Sequence, residues 1–240
     1  MARPIRLAQT RRAGKRTRFS RLADHDPTLM LSSVSILLLG FLLGMRHATD
    51  ADHVVAVTTI VSEECSVRRA SGIGALWGIG HSITILLVGG AIVSFRLTIP
   101  PRLGLALEFS VALMLIALGG ITLARRRIGS ARSVTRPVAV GVVHGLAGSA
   151  FVALVVLAAV PQTWLALVYL GLFAAGTIAG MAVITAAIAV PSALSARRFV
   201  GVQRYVQVAS GVASLAFGLM LARQGVAQGL FAAVPNWTPR

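Results

Sequence analysis

Four ionisable side chains that can bind a metal ion lie close together inside a stretch that is otherwise apolar. Positions 44–53 read Gly-Met-Arg-His-Ala-Thr-Asp-Ala-Asp-His, between leucine-rich and valine-rich flanks. An ionisable group costs about 2.5 to 3.5 kcal/mol at the centre of an inserted helix, so this cluster predicts an ion or substrate site. Imidazole nitrogens and carboxylate oxygens suit borderline divalent ions such as nickel, cobalt or zinc.

On a straight helix these side chains would not all face one ion. His47, Asp50 and His53 are three residues apart and form one stripe, whereas Asp52 points about 140° away from His47. We therefore expect one of two arrangements. Either the helix is locally unwound, or one carboxylate lies behind the ligands and orients them.

Other polar side chains in apolar segments are candidates for the same site or for a pathway. His81 and Ser82 lie among glycines that let another backbone approach, so His81 is predicted to be a ligand or to hold one. His144 and Ser149 have similar surroundings, and hydrogen bonding between helices is the alternative for both. Glu108 is the only acid of its segment and is interpreted either as an ion-pathway residue or as an interfacial one.

The composition predicts an all-α, polytopic membrane protein. Hydrophobic residues make up 56% of the chain, charged residues 12%, and the mean hydropathy is +0.81, which excludes an ordinary soluble domain. The net charge of +16 comes from a tail and short loops beside apolar segments, so it indicates topology rather than nucleic-acid binding. Cys65 is the single cysteine. This excludes a disulfide framework, and it disfavours a thiol relay because such a relay uses paired cysteines.

Hydropathy divides the chain into a membrane domain at 28–223, a basic disordered tail at 1–27 and a short C-terminal tail at 224–240. The first tail holds eight Lys or Arg residues. Six or seven transmembrane segments are predicted, at 29–43, 44–62, 70–95, 103–124, 138–160, 163–190 and 202–222. As a single helix, 29–62 would be about 50 Å long and would overshoot a bilayer core of about 30 Å.

Loop charges favour two crossings within 29–62, with a turn at Gly40 or Gly44. With two crossings, the basic tail and the Arg-rich segment at 125–136 both lie in the cytoplasm, as the positive-inside rule requires. With one crossing, that segment would be translocated while the tail stayed inside. We therefore predict a multi-pass protein of the cell membrane with a cytoplasmic N-terminus.

A weak internal repeat predicts two three-helix halves of opposite orientation. The pattern Gly-x-x-His at 44–47 recurs at 141–144, 97 residues later, and Asp52 then aligns with Ser149. A spacing of 99 residues aligns two further pairs, Glu108 with Gln207 and Gly119 with Gly218. Inverted repeats are a transporter architecture with the site near the midplane. Chance similarity between helices rich in glycine and alanine is the alternative.

Three motifs together resemble the nickel/cobalt transporter family, which includes urease accessory membrane proteins. The segment from His47 to His53 matches the family's HX4DH signature, 74–82 resembles a second motif, and 144–150 a third. The resemblance implies His47, Asp52 and His53 as metal ligands. Asp50 is then left as an ion-pair partner for Arg46 at a spacing of four residues. Many members carry a His-rich central loop, whereas 125–137 contains no histidine.

The resemblance implies a non-enzymatic function, namely transport of Ni²⁺ or Co²⁺ as substrate with no permanent cofactor. The implied partners are the metal ion and the lipid bilayer, with a functional link to nickel-enzyme assembly factors. A membrane scaffold that delivers metal to such factors is the alternative. An intramembrane metalloenzyme is disfavoured because the sequence has no His-Glu-x-x-His motif.

Overall fold

The computed structural model describes residues 27–62, 64, 66–97, 100–124, 134–146, 162–195 and 200–231. These residues form helices and contain no strand, which confirms the all-α prediction. The helices are α1 (Pro27–His47), α2 (Ala51–Val61), α3 (Val67–Phe95), α4 (Pro101–Leu123), α5 (Thr135–Gly145), α6 (Thr163–Ser195) and α7 (Val200–Ala227).

Four of these helices are long and apolar enough to cross a membrane. They lie at Val67–Phe95, Pro101–Leu123, Thr163–Pro191 and Arg204–Ala227, and shorter apolar helices lie at Leu37–His47 and Ala51–Val61. The protein is thus a helical membrane protein, as its composition predicts.

A short interruption separates α1 from α2. Ala48 and Thr49 form a turn, in which the Thr49 amide donates a 2.8 Å hydrogen bond to the Arg46 carbonyl. Asp50 then adopts an extended backbone, with φ −61° and ψ 147°, at the N-cap position of α2. An extended residue cannot continue the helical hydrogen-bond pattern, so α2 begins anew at Ala51. Local unwinding was one of the two arrangements expected for the site. The turn between the first two segments was predicted earlier, at Gly40 or Gly44, and that position was wrong because α1 continues through both glycines.

Gly40 and Gly44 lie inside α1, where α6 packs closely against them. Gly40 faces the side chain of Tyr169, and a Cβ at Gly44 would overlap the carbonyl oxygen of Phe173. Small residues allow such backbone contact between membrane helices. Successive contacts advance in the same direction along both helices, so α1 and α6 are parallel.

α3 lies at the centre of the site region, between α6 and α5. Ser82 Oγ donates a 3.1 Å hydrogen bond to the Ala174 carbonyl of α6, and Thr84 Oγ1 donates one of 3.1 Å to the Val142 carbonyl of α5. Contacts along these pairs show that α3 is antiparallel to α6 and parallel to α5. Hydrogen bonds of this kind fix one helix against another where lipid supplies little driving force for association.

α2 continues in the direction of α1 rather than turning back. Thr59 Oγ1 lies 3.2 Å from the Ser210 carbonyl, in the first half of α7. Because α7 begins soon after α6 ends, α2 ends near the face of the protein at which α6 ends. α1 lies beside the first half of α6 at Tyr169. α7 in turn packs antiparallel to α4, where Ser214 Oγ donates a 2.8 Å hydrogen bond to the Leu115 carbonyl.

Candidate metal site

Three histidines from three helices meet at the interruption between α1 and α2. His47 is the last residue of α1, His53 lies in the first turn of α2, and His81 lies in the middle of α3. All three are buried, and one ligand nitrogen from each lies within 4.8 Å of the others. The Nε2 atoms of His47 and His81 are 3.1 Å apart. Two nitrogens bound to one ion at about 2.1 Å would be about 2.9 to 3.4 Å apart, so this spacing fits a shared ion.

Two of these histidines contact a carboxylate through Nδ1, the ring nitrogen other than Nε2. His47 Nδ1 donates a 2.8 Å hydrogen bond to Asp50 Oδ2, and His53 Nδ1 pairs with Asp52 Oδ1 at 3.1 Å. A carboxylate in this position fixes the imidazole tautomer and presents the other ring nitrogen to a metal. Accordingly, His53 Nε2 is buried and makes no hydrogen bond to any described residue.

A second group of donors adjoins the first and includes a residue of α5. His144 is fully buried, and its Nε2 donates a 3.0 Å hydrogen bond to Asp52 Oδ2. Donor atoms of Asp52, His53 and His144 also lie within 4.8 Å of one another. Asp52 thus contacts a histidine with each of its oxygens and connects α2 to α5.

Aromatic rings close the apolar side of both groups. The ring of Trp77 stacks on His53, with centroids 6.0 Å apart and planes inclined by 14°, and lies 5.5 Å from the His144 ring. Phe173 lies 5.5 Å from the ring of His47. These rings exclude water from the histidines, which strengthens charge interactions within the site.

The structure brings together most of the predicted site residues and separates the rest. His47, Asp52, His53, His81, His144 and Asp50 lie in the two groups or directly against them. Ser82 bonds to α6 instead, and Glu108 is exposed on α4. Ser149 lies outside the described residues.

The predicted ion pair between Arg46 and Asp50 is not formed, and that expectation was wrong. Arg46 is exposed, and Asp50 pairs with His47 instead. The physical reason is the end of α1 at His47, because a spacing of four residues joins two side chains only along a continuous helix. The Asp50 carboxylate therefore belongs to the histidine site.

Trp77 and Phe173 contact the site but were not singled out from the sequence. For Trp77 a signal was present, because it lies four residues before His81 and so on the same face of α3. For Phe173 no comparable signal exists. Its position depends on the close approach of α6 to Gly44.

Binding of Ni²⁺ or Co²⁺ should quench the fluorescence of Trp77, because its ring stacks on His53. The measurement uses a Trp164→Phe, Trp237→Phe variant, which leaves Trp77 as the single tryptophan. We expect most of the emission to be lost on titration with either ion and restored by a chelator. Unchanged emission at saturating bound metal, measured by equilibrium dialysis, would contradict the site geometry.

Buried histidines and carboxylates between apolar helices define a polytopic membrane protein with a site able to hold a metal ion. The chain is 34% identical over 218 residues to the urease accessory protein UreH of Bacillus sp. (strain TB-90), a match that covers 82% of this chain and 95% of that protein. The chain therefore belongs to the nickel/cobalt transporter family, which includes the UreH-type proteins.

A shorter match links the chain to a second relative. Over 52 residues the chain is 40% identical to the nickel transporter NixA of Staphylococcus aureus (strain NCTC 8325 / PS 47). This match covers 21% of this chain and 15% of that protein. Both relatives are of non-enzymatic classes, as predicted for this chain. No family model and no solved structure matches the chain.

Proposed function

We propose that this protein moves Ni²⁺ or Co²⁺ across the membrane, with the ion bound as substrate by His47, His53 and His81. The observation that carries the proposal is the convergence of three buried imidazoles, two of them held by carboxylates. Nitrogen-rich donor sets favour nickel, cobalt and zinc over magnesium or calcium. The names of the relatives, a nickel transporter and a urease accessory protein, support nickel among these.

Burial differs between the two carboxylates and supports a route for the ion. Asp50 is 41% exposed, whereas Asp52 is 17% exposed and His53 is fully buried. A cation arriving from the side of Asp50 meets a carboxylate first and the buried imidazoles next. Negative charge at the mouth of a low-dielectric cleft raises the local concentration of cations.

Equivalent close contacts in the two halves of the chain support an inverted repeat. A Cβ at Gly44 would overlap the Phe173 carbonyl oxygen, and a Cβ at Gly141 would overlap the Trp77 carbonyl oxygen. Gly141 follows Gly44 by 97 residues, and Phe173 follows Trp77 by 96. The contact between α1 and α6 therefore corresponds to the contact between α5 and α3. The two helix pairs run in opposite directions.

The remaining helix pair supports the same repeat. A Cβ at Gly119 would lie 2.6 Å from the Gly211 carbonyl oxygen, and a Cβ at Gly218 would lie 2.9 Å from the Ala112 carbonyl oxygen. Both correspondences have a spacing of 99 residues. In the repeat, α4 of the first half therefore corresponds to α7 of the second half. Inverted halves of this kind let a transporter expose one central site alternately to either face.

Within this proposal the membrane domain crosses the bilayer six times, and α1 and α2 together form one interrupted crossing. The parallel course of α1 and α6 supports this count, as does the end of α2 near Ser210. Six crossings put the start of α1 at Pro27 and the end of α4 at Leu123 on opposite faces. The prediction of a cytoplasmic N-terminus rested on two crossings within 29–62, so it is not part of the six-crossing proposal.

The proposal is tested by nickel and cobalt flux into proteoliposomes that contain a metal-sensitive dye. We expect flux well above that of empty vesicles, and a reduction of at least about tenfold in His47→Ala and Asp52→Asn. Thr58→Ala is the matched control, because Thr58 lies on α2 and its hydroxyl donates a hydrogen bond to the Val54 carbonyl of the same helix. Its flux should equal that of the wild type at matched insertion.

The accessory function of the UreH relative provides a second candidate, delivery of metal to nickel-enzyme assembly factors. The same experiment separates the two. Folded wild-type protein that binds metal but gives no flux above empty vesicles would contradict the transporter proposal and support delivery at the membrane.

A further inference from the structure

We propose that the transported ion passes between two overlapping sites that share His53. The outer site consists of His47, His53 and His81, and the inner site consists of Asp52, His53 and His144. This inference rests on the transport function proposed above. It adds a second binding position and a direction of movement within the protein.

Each site is a complete three-donor group. The donor atoms of each lie within 4.8 Å of one another, a spread that one ion at about 2.0 to 2.2 Å from every donor can bridge after small shifts. The outer site offers three imidazoles. The inner site offers two imidazoles and a carboxylate, so it also carries a negative charge.

His53 can serve only one site at a time. Its Nδ1 lies 3.1 Å from Asp52 Oδ1, on the inner side, while its Nε2 makes no hydrogen bond within the described part of the chain. A neutral imidazole has one nitrogen with a lone pair and carries its proton on the other. The two sites are therefore filled alternately, with the His53 proton on Nδ1 when the outer site is filled and on Nε2 when the inner site is filled, and one ion per chain is bound.

His144 has features that a purely structural histidine would not need. It is fully buried, its Nδ1 has no hydrogen-bond partner in the described residues, and its ring centroid is 4.2 Å from that of His53. It also comes from α5, whereas the three outer histidines come from α1, α2 and α3. An ion that moves to the inner site therefore moves from one half of the protein toward the other.

Exposure sets the order of the two sites. Of the two carboxylates, Asp50, which is bonded to His47 of the outer site, is 41% exposed, whereas Asp52 of the inner site is 17% exposed and its partner His144 is fully buried. An ion that enters from the open side meets the outer site first. Release on the opposite face then requires His144.

The test combines Co²⁺ binding at equilibrium with Co²⁺ flux in proteoliposomes, for the wild type, His144→Ala and His81→Ala. The wild type should bind one Co²⁺ per chain. His144→Ala should keep its Co²⁺ affinity within about threefold, because the outer site is intact, yet lose at least about tenfold in flux. His81→Ala should still bind one Co²⁺ at the inner site, with a visible absorption spectrum that differs from that of His144→Ala.

A further variant separates an ion ligand from a residue that only holds Asp52. His144→Gln keeps an amide donor for Asp52 but removes the imidazole, so its flux should stay as low as that of His144→Ala. Wild-type flux in His144→Gln or in His144→Ala would overturn the inner site. So would two Co²⁺ ions bound per chain, or equal losses of affinity and flux in His144→Ala.

The outcome also distinguishes this inference from the transport proposal. If wild-type vesicles show no flux, the transport function is wrong and with it the passage between sites. If wild-type flux is normal while identical spectra are recorded for His144→Ala and His81→Ala, only the two-site inference is wrong.

Discussion

His53→Ala should reduce nickel and cobalt flux by about 100-fold or more, the largest loss for any single side chain of the site. His53 is the one residue that belongs to both donor groups. It is fully buried, and both Asp52 and Trp77 contact its ring. Its removal therefore takes a ligand from each site and leaves the Asp52 carboxylate without one of its two partners.

The measurement is initial flux at matched insertion, with metal affinity recorded on the same preparation. Thr58→Ala on the same helix provides the control, and His53→Gln tests whether a polar side chain of similar size restores transport. We expect no restoration, because an amide offers no imidazole nitrogen to a metal. A loss smaller than that of His47→Ala would contradict the central position of His53.

Gly44→Leu should prevent the protein from folding into its native helix packing. A Cβ at this position already overlaps the carbonyl oxygen of Phe173 and would lie 2.9 Å from the Thr177 amide nitrogen. Both of these are backbone atoms of α6, so no side-chain rotation can relieve the overlap. Overpacking of this kind commonly costs about 1 to 3 kcal/mol, and here α1 and α6 must separate along their whole contact.

Gly44→Leu should give little monodisperse protein after extraction in mild detergent, and Gly44→Ala should lower the thermal unfolding temperature by several degrees. Gly120→Ala is the matched control, because no described residue of another helix comes within 4 Å of a Cβ at that position. It should leave the unfolding temperature unchanged or raise it slightly, because alanine favours a helix more than glycine does. A Gly44→Ala variant as stable as Gly120→Ala would disprove the close contact between α1 and α6.

The donors of the site could be predicted from the sequence, but their division into groups could not. An isolated cluster of His and Asp in an apolar segment is visible because burial of such groups is costly. Which donors face one another depends on where α1 ends. Their arrangement also depends on how α1 packs against α6 at Gly40 and Gly44, and the residues of α6 in this contact are distant in the sequence.

The number of crossings shows the same limit. Hydropathy correctly indicates the apolar stretch from 29 to 62, and loop charge was used to divide it. Loop charge cannot distinguish a reversal of the chain from a short interruption such as that from Ala48 to Asp50, and the six-crossing proposal rests on this interruption. The interruption leaves the course of the helix unchanged while it frees His47 and Asp50 to face one site.

The ends of α1 and α5 have an electrostatic consequence for the ion. His47 is the last residue of α1 and His144 lies in the last turn of α5, so both helices present their C-terminal carbonyl groups to the donor groups. Each such end acts as roughly half a negative charge, whereas the N-terminus of α2, which begins at Ala51 beside the same donors, acts as roughly half a positive one, so the helix ends together still contribute negative charge. Together with Asp50 and Asp52, these dipoles give a local field that attracts cations. A chain of net charge +16 can therefore hold a divalent cation in its interior.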